Sequence, residues 1–316
     1  MKTVRTMSKP IHVVVLGSIN MDLVIRCAKL PSPGETLMAE SSSEFCGGKG
    51  ANQAVAAARA GAVVNMIGRV GNDSFANRLI GNLQNEHVLC DHVTATAETP
   101  SGLAVVSVDD AGENSIIVVP GANGRVSVSD VEAAADVIRT ADILLVQLEV
   151  PVSSVVAAIR IARAGGVRVI LDPAPAPATV PDELLDVTLI CPNETEAAAL
   201  TGLTLNSSEQ QEAAVRQLHQ RGAANVALTL GDKGTLLFDG RTFQQIPSIV
   251  VDVVDTTAAG DAFAGALAVY WAETRPLADA VRRANVAGAI AASRHGAQPG
   301  MATAAEIESA LKRSRE

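Results

Sequence analysis

The chain has 316 residues, 48% of them hydrophobic, with only five Phe, one Tyr and one Trp, and a formal net charge of -9. That length can bury one large α/β core. So few aromatics argue against a stacking platform for single-stranded nucleic acid, and the acidic balance argues against a general binder of nucleic acid or anionic membranes. Cys27, Cys46, Cys90 and Cys191 lie far apart with no Cys-x-x-Cys, which disfavours a structural zinc site or a disulfide framework. A cytoplasmic protein with reduced thiols is the expectation.

Residues 1–10 carry Lys2, Arg5 and Lys9 without a following apolar run of signal-peptide length, and are expected to form a loose tail. No segment is long and apolar enough to span a bilayer. From there, strand-like and helix-like patterns alternate. His12–Leu16 reads as a strand, 50–61 as an Ala-rich helix, Val63–Ile67 as a strand and Ser74–Asn85 as a helix. Short apolar strands follow at 143–147, 167–171, 187–191 and 226–230, with helices over 152–164, 194–201 and 208–221. The β-branched run 249–254 reads as a buried strand, and a packed helix starts near Ala262. Such alternation predicts a mostly parallel sheet with helices on both faces.

Two regions interrupt the pattern. Residues 21–45 hold a short strand and the turn Pro31-Ser32-Pro33-Gly34. Residues 101–119 read as two strands joined by a turn at 109–113. Together they predict a small β flap on the α/β body.

Familiar nucleotide and hydrolase signatures are missing. Gly47-Gly48-Lys49-Gly50-Ala51 lacks the Ser or Thr of a Walker A loop, and no strand is followed by Gly-x-Gly-x-x-Gly. There is no His-Glu-x-x-His and no Gly-x-Ser-x-Gly, and the five histidines form no recognisable cluster.

Polar groups instead gather where apolar strands end. In Gly17-Ser18-Ile19-Asn20-Met21-Asp22, an extended chain puts Asn20 and Asp22 on one face, where they could bind the hydroxyls of a polyol. A polar turn is the equally open alternative. Gly47, Gly48 and Gly50 open the Ala-rich helix and allow close backbone approach, with Lys49 and Asn52 in its first turn. Glu149 lies at the end of an apolar strand, where α/β proteins bind ligands. Asn193-Glu194-Thr195-Glu196 begins another helix; its acids either favour the helix dipole or hold the water shell of Mg²⁺. Thr229-Leu230-Gly231 ends a further strand and is suited to lie along a nucleotide. In Asp255-Thr256-Thr257-Ala258-Ala259-Gly260-Asp261, small residues and free amides at a helix start favour an anion. Asp261 there is either an N-cap or a proton acceptor for phosphoryl transfer to an alcohol.

In this order the segments resemble the ribokinase-like (PfkB) carbohydrate kinases, from about the first strand to Pro299. The resemblance implies a three-layer α/β/α core with a mostly parallel sheet. It also implies a single domain over 11–316, with a β-sheet lid from about 18–46 and 100–120 that often pairs subunits into homodimers. It implies ATP-dependent phosphorylation of D-ribose to D-ribose 5-phosphate. Asp261 matches the catalytic base, and Ala258, Ala259 and Gly260 match the anion hole. Asn20, Asp22, Gly48, Lys49, Asn52 and Glu149 match sugar-binding positions. Asn193, Glu196, Thr229, Gly231, Gly260 and Asn285 match the nucleotide side, with Glu196 toward Mg²⁺. Asp255 and Thr257, with carbonyls of Ala291, Arg294 and Gly296, match a K⁺ site. The chain departs from the pattern at Gly300, where Ser is frequent, and at Ala264, where Asn is frequent. A kinase for deoxyribose, another pentose, fructose or a nucleoside is the nearest rival, and a catalytically silent sugar-binding protein is the rival from another class.

Overall fold

The first strand, β1 (His12–Leu16), sends Val13 and Val15 into one hydrophobic cluster and Val14 and Leu16 into a second. Side chains alternate along a strand, so a run that is apolar throughout suits a sheet covered on both faces. The computed structural model describes residues 9–111, 114–177, 179–273 and 275–313. The expected tail therefore lies almost wholly outside the described residues, as do Gly112 and Glu113 of the expected turn.

After β1 come β2 (Asn20–Arg26), β3 (Ser41–Gly47), α1 (Lys49–Arg59), β4 (Val63–Val70), α2 (Ser74–Asn85) and β5 (Val88–Ala95). The strands β6 (Gly102–Val108) and β7 (Asn114–Val119) precede the short helices α3 (Val128–Ala133) and α4 (Ala135–Thr140). Then follow β8 (Ile143–Val146), α5 (Val152–Ala164), β9 (Arg168–Leu171), α6 (Asp182–Leu185), β10 (Leu189–Ile190) and α7 (Glu194–Thr201). Next are α8 (Ser208–Gln220), β11 (Val226–Thr229), β12 (Thr235–Phe238) and β13 (Phe243–Ile246). The last elements are α9 (Ala259–Ala272), α10 (Leu277–Ala292), α11 (Ala297–Gly300) and α12 (Ala304–Arg313).

Nine strands form one sheet in the order β13-β12-β11-β10-β9-β8-β1-β4-β5. From β11 to β5 every pairing is parallel, and only β12 and β13 add antiparallel strands at one edge. Helices α1, α2, α9, α10 and α12 cover one face, and α3 to α8 cover the other. The fold is the three-layer α/β/α arrangement. The two segments that interrupt the alternation form a separate four-stranded sheet, β3-β2-β6-β7. Its central β2–β6 pair is parallel and its outer pairs are antiparallel.

Two strand expectations need correction. Residues 249–254 form no strand, and Val250, Val253 and Val254 are exposed. The ladder ends at Ile246, and Pro247 has no N–H to continue it. The chain turns instead to the end of α10, where the amides of Val254 and Asp255 donate to the Ala292 carbonyl at 2.9 and 3.1 Å. The strand expected over 187–191 shrinks to Leu189–Ile190.

Candidate active site

Parallel strands end on one edge of the sheet, and ligands of open α/β sheets bind outside those carboxyl ends. Here that edge gathers the residues after β1, β8, β9, β10 and β11. A cavity of about 220 Å³ opens there, lined by Lys49, Asp172, Asn193, Glu196, Thr229 and Asp261 among others. A larger hollow of about 900 Å³ runs along Ser248–Val251 and α12. Two of its charged groups, Arg294 and Glu306, are spent on each other at 2.6 Å, so the chemistry converges on the smaller cavity.

The N-terminus of α9 forms one wall. Ala258 precedes it in a left-handed conformation, φ 59° and ψ 15°, which few non-glycine residues adopt. This turn bonds the Ala259 amide to the Thr256 carbonyl at 3.2 Å. The amides of Gly260 and Asp261 have no backbone partner among the described residues, which leaves an anion-attracting helix end. From Asp261 to Trp271 the helix is buried at every position. It crosses α1 so closely that a Cβ on Gly265 would stand 2.6 Å from the Ala56 side chain and the Gln53 carbonyl.

This crossing brings the amides of α1 onto Asp261, which is only 4% exposed. Asn52 Nδ2 donates to one carboxylate oxygen and Gln53 Nε2 to the other, each at 3.0 Å. An ionised carboxylate offers about four acceptor sites, so one on each oxygen remains for a ligand. Both donors are held from behind. Gln298 donates to Asn52 at 3.2 Å and itself receives the Asn82 amide at 2.6 Å. The buried Gln147 donates to Gln53.

Of the expected sugar residues, Asn20 and Asp22 lie on the four-stranded sheet and, like Asn52 and Glu149, do not line this cavity. Asn20 accepts from Asn123 at 2.6 Å, and Asn123 also accepts from the Ile19 amide at 2.9 Å. Asp22 has a buried oxygen, Oδ1, with no partner among the described residues. Burial, with the nearby charges of Glu149 and Asp261, pushes its carboxyl up to about 7. Gly48 joins this sheet to α1 at φ 90°, and a Cβ there would approach the Asn20 amide to 2.8 Å. Glu149 reaches across from the end of β8, accepting from Ser18 Oγ and from the Lys49 amide.

A model of the pfkB family carbohydrate kinases matches residues 10–304. The chain belongs to this family. It is 38% identical over 298 residues to a ribokinase of Staphylococcus aureus, covering 93% of this chain and 98% of that protein. It is 36% identical over 292 residues to a deoxyribokinase of Salmonella typhimurium, covering 90% and 94%. Arabidopsis thaliana ribokinase complexed with ribose and ATP superposes with a TM-score of 0.87 at 36% identity, over 96% of this chain and 99% of that one. The protein is a carbohydrate kinase.

The nucleotide-side candidates of this kinase lie on the rim. Asn193 and Glu196 form a capping box at the start of α7, where Asn193 Oδ1 accepts from the Glu196 amide at 2.8 Å and Glu196 Oε2 accepts from the Asn193 amide at 2.9 Å. Burial raises the Glu196 carboxyl above its ordinary value. Thr229 bridges to Asn193, and Gly231 faces open space at φ 60°. Asn285 does not line the cavity. Its amide accepts from Thr235 at 2.6 Å and donates to the Ile246 carbonyl at 3.0 Å, tying α10 to the sheet edge.

Of the expected cation residues, Asp255, Thr257 and Gly296 come together. Asp255 accepts from the Thr257 amide at 2.9 Å and from the Gly296 amide at 3.0 Å, joining the two loops. Although burial opposes it, these hydrogen bonds hold its carboxyl below the ordinary value. A Cβ on Gly300 would stand 3.3 Å from the Ala291 carbonyl, so a serine there would abut the expected ligands. One carboxylate with backbone carbonyls is a set of hard oxygen donors, which suits a hard cation. Among the described residues no cluster of three His, Cys, Asp or Glu could hold a metal.

Sequence reasoning missed Asp172, Gln147 and Asn123, and the clamping role of Gln53. Asp172 could have been found by the rule that flagged Glu149, since it follows an apolar strand directly. It lines the cavity 3.6 Å from the Lys49 ammonium. Burial pushes the Asp172 carboxyl up to about 7 against the pull of Lys49. Burial disfavours the Lys49 charge, but Asp172, Asp261, Glu149 and Glu196 outweigh it and hold its pKa above the ordinary lysine value.

Proposed function

We propose that this kinase transfers the γ-phosphoryl group of ATP to the primary hydroxyl of D-ribose, giving D-ribose 5-phosphate and ADP. The observation that carries this reading is the buried Asp261, close to Lys49 and Asn52, beside amides at the start of α9 that have no backbone partner among the described residues. Asn20, Asp22, Lys49, Asn52 and Glu149 would orient the sugar. The orphaned Asp22 Oδ1 supports this, because a buried acceptor without a partner awaits a donor such as a sugar hydroxyl.

Asp261 would take the hydroxyl proton as the sugar oxygen attacks the γ-phosphorus and the bond to the bridging oxygen of ADP breaks. The amides of Gly260 and Asp261, in the turn begun by Ala258 and Ala259, would bind the transferring group. Mg²⁺ on the triphosphate would supply charge neutralisation, with Asn193, Glu196, Thr229 and Gly231 along the nucleotide. Asn285 would act only by holding the wall behind it. K⁺ between Asp255, Thr257 and the carbonyls of Ala291, Arg294 and Gly296 would steady the loop that leads into α9.

The four-stranded sheet would act as a lid of the single domain and exclude water from the reaction. Ile116, Ile117, Val118 and Val119 on its edge strand are exposed, which supports a homodimer through this sheet. Deoxyribose is the second reading. It is favoured by Ala264, which lines the cavity with no polar atom, and by the near-equal similarity to a deoxyribokinase. A coupled ADP-release assay over pentoses, deoxyribose, hexoses and nucleosides, with and without K⁺, decides between them. The expected result is ribose as the best substrate; deoxyribose with the highest kcat/KM selects the second reading, and no release with any sugar overturns both.

A further inference from the structure

Asn52 carries the bond from α1 to Asp261, and the orientation of its amide is decided outside α1. An ionised carboxylate only accepts, so Asn52 must turn Nδ2 toward Asp261, which it meets at 3.0 Å. Its Oδ1 then needs a donor, and Gln298 Nε2 supplies one at 3.2 Å. That leaves Gln298 Oε1 to accept, as it does from Asn82 Nδ2 at 2.6 Å. The three amides thus run in one sense, from α2 through α11 to α1 and onto the carboxylate. Asn52 and Gln298 are both buried, so neither can trade its partner for bulk water.

Gln298 is itself held at two further points. Arg59, in a two-pronged ion pair with Glu86 at 2.6 and 2.8 Å, also donates to the carbonyls of Gln298 and Met301 at 2.8 and 3.0 Å. Two residues before Gln298, the Gly296 amide donates to Asp255, ahead of α9. Gln298 does not line the cavity.

We propose that Gln298 is a positioning residue for phosphoryl transfer: it fixes the Asn52 amide against Asp261 and so sets where the base presents its free acceptor sites. The proposal rests on the reading of Asp261 as the base and deepens it. Without the Gln298 donor, Asn52 Oδ1 becomes a buried acceptor with no partner. Rotation of the amide relieves that state only by loosening Nδ2 from Asp261. Of the two side-chain amides on the carboxylate, Gln53 alone then keeps its place. A base misplaced by a fraction of an ångström slows the transfer it assists.

Gln298→Met keeps the length of the side chain and removes both of its hydrogen bonds, while the half-buried Asn82 can turn to water. The variant is expected to lose kcat by about tenfold, with the KM for ATP within about twofold. Asn52→Ala supplies the background that separates positioning from packing. There Gln298→Met is expected to change kcat by less than about twofold, since the amide that it orients is gone. Equal losses in the two backgrounds, or a near wild-type kcat in Gln298→Met alone, would overturn the proposal. Crystal structures of the wild type and Gln298→Met give a readout that needs no activity. The separation of Asn52 Nδ2 from Asp261 Oδ2 is expected to grow from 3.0 Å to beyond about 3.5 Å, and an unchanged separation refutes the role. If Gln298→Met does not fold, Gln298→Leu serves for both measurements. A wild type without sugar-dependent ADP release sinks the reading of the base, while the crystal separations still decide whether Gln298 holds Asn52.

Discussion

Asp261 and the amides that hold it, Asn52, Gln53, Gln147 and Gln298, are buried and bonded to one another, whereas Asn193, Glu196, Thr229 and Gly231 are exposed or half-exposed, and Asn193 and Glu196 bond within their own turn. The difference matches two tasks. An attacking hydroxyl must be placed to within a fraction of an ångström, and the proposed base, Asp261, is fixed by amides that are fixed in turn. A triphosphate is long, charged and brings its own metal, so an open rim with a helix end can receive it. Organisation before binding is concentrated on the proposed sugar side.

Substitutions on each side test that contrast. Asp261→Asn is expected to lower kcat by on the order of 10³-fold, while sugar affinity measured by calorimetry stays within about threefold. A variant with near wild-type turnover would remove Asp261 from the proton transfer. Asp22→Asn is expected to weaken sugar binding by about tenfold, as a rise in KM. It also has a pH signature. The folded protein binds the Asp22 proton more tightly than the unfolded chain does, so stability falls as pH rises from the ordinary carboxylate range to about 7. The asparagine removes that loss, and its thermal midpoint at pH 8 is expected to exceed the wild type by about 2 °C; a lower midpoint at pH 8 would contradict the buried-charge account. On the rim, Glu196→Gln is expected to raise the KM for ATP about fivefold at limiting Mg²⁺ without moving the sugar KM. A large change in sugar KM would mean that the two sides are not separable.

Much of the body was legible because periodicity reports burial. The helices over 74–85, 152–164 and 194–201 appear at the expected residues, since each repeats an apolar stripe or carries an end signal such as the Asn193–Glu196 capping box. The run 249–254 misled because β-branched residues report only a preference for an extended chain. A strand also needs a free ladder beside it, and Pro247 ends that ladder.

The site was legible where a motif is local, as at 255–261 and 46–53. It was hidden where the chemistry depends on distant partners. Gln53 joins Asp172 and Asp261 across 119 and 208 residues of sequence, so nothing near it distinguishes it from any polar residue in an Ala-rich helix. Asp172, by contrast, directly follows an apolar strand and was within reach of the rule that flagged Glu149.

The contact of Gly265 with Ala56 and the Gln53 carbonyl has a consequence for heat. Where helices meet through long side chains, warming frees rotamers and the spacing drifts. Here the Gly265 backbone lies against Ala56 and the Gln53 carbonyl, and no long side chain separates the helices at that point. The gap between Asp261 and the amides of Asn52 and Gln53 is therefore expected to keep its width until the helices separate. Activity should then rise with temperature and stop abruptly at unfolding, without a preceding range of gradual misalignment.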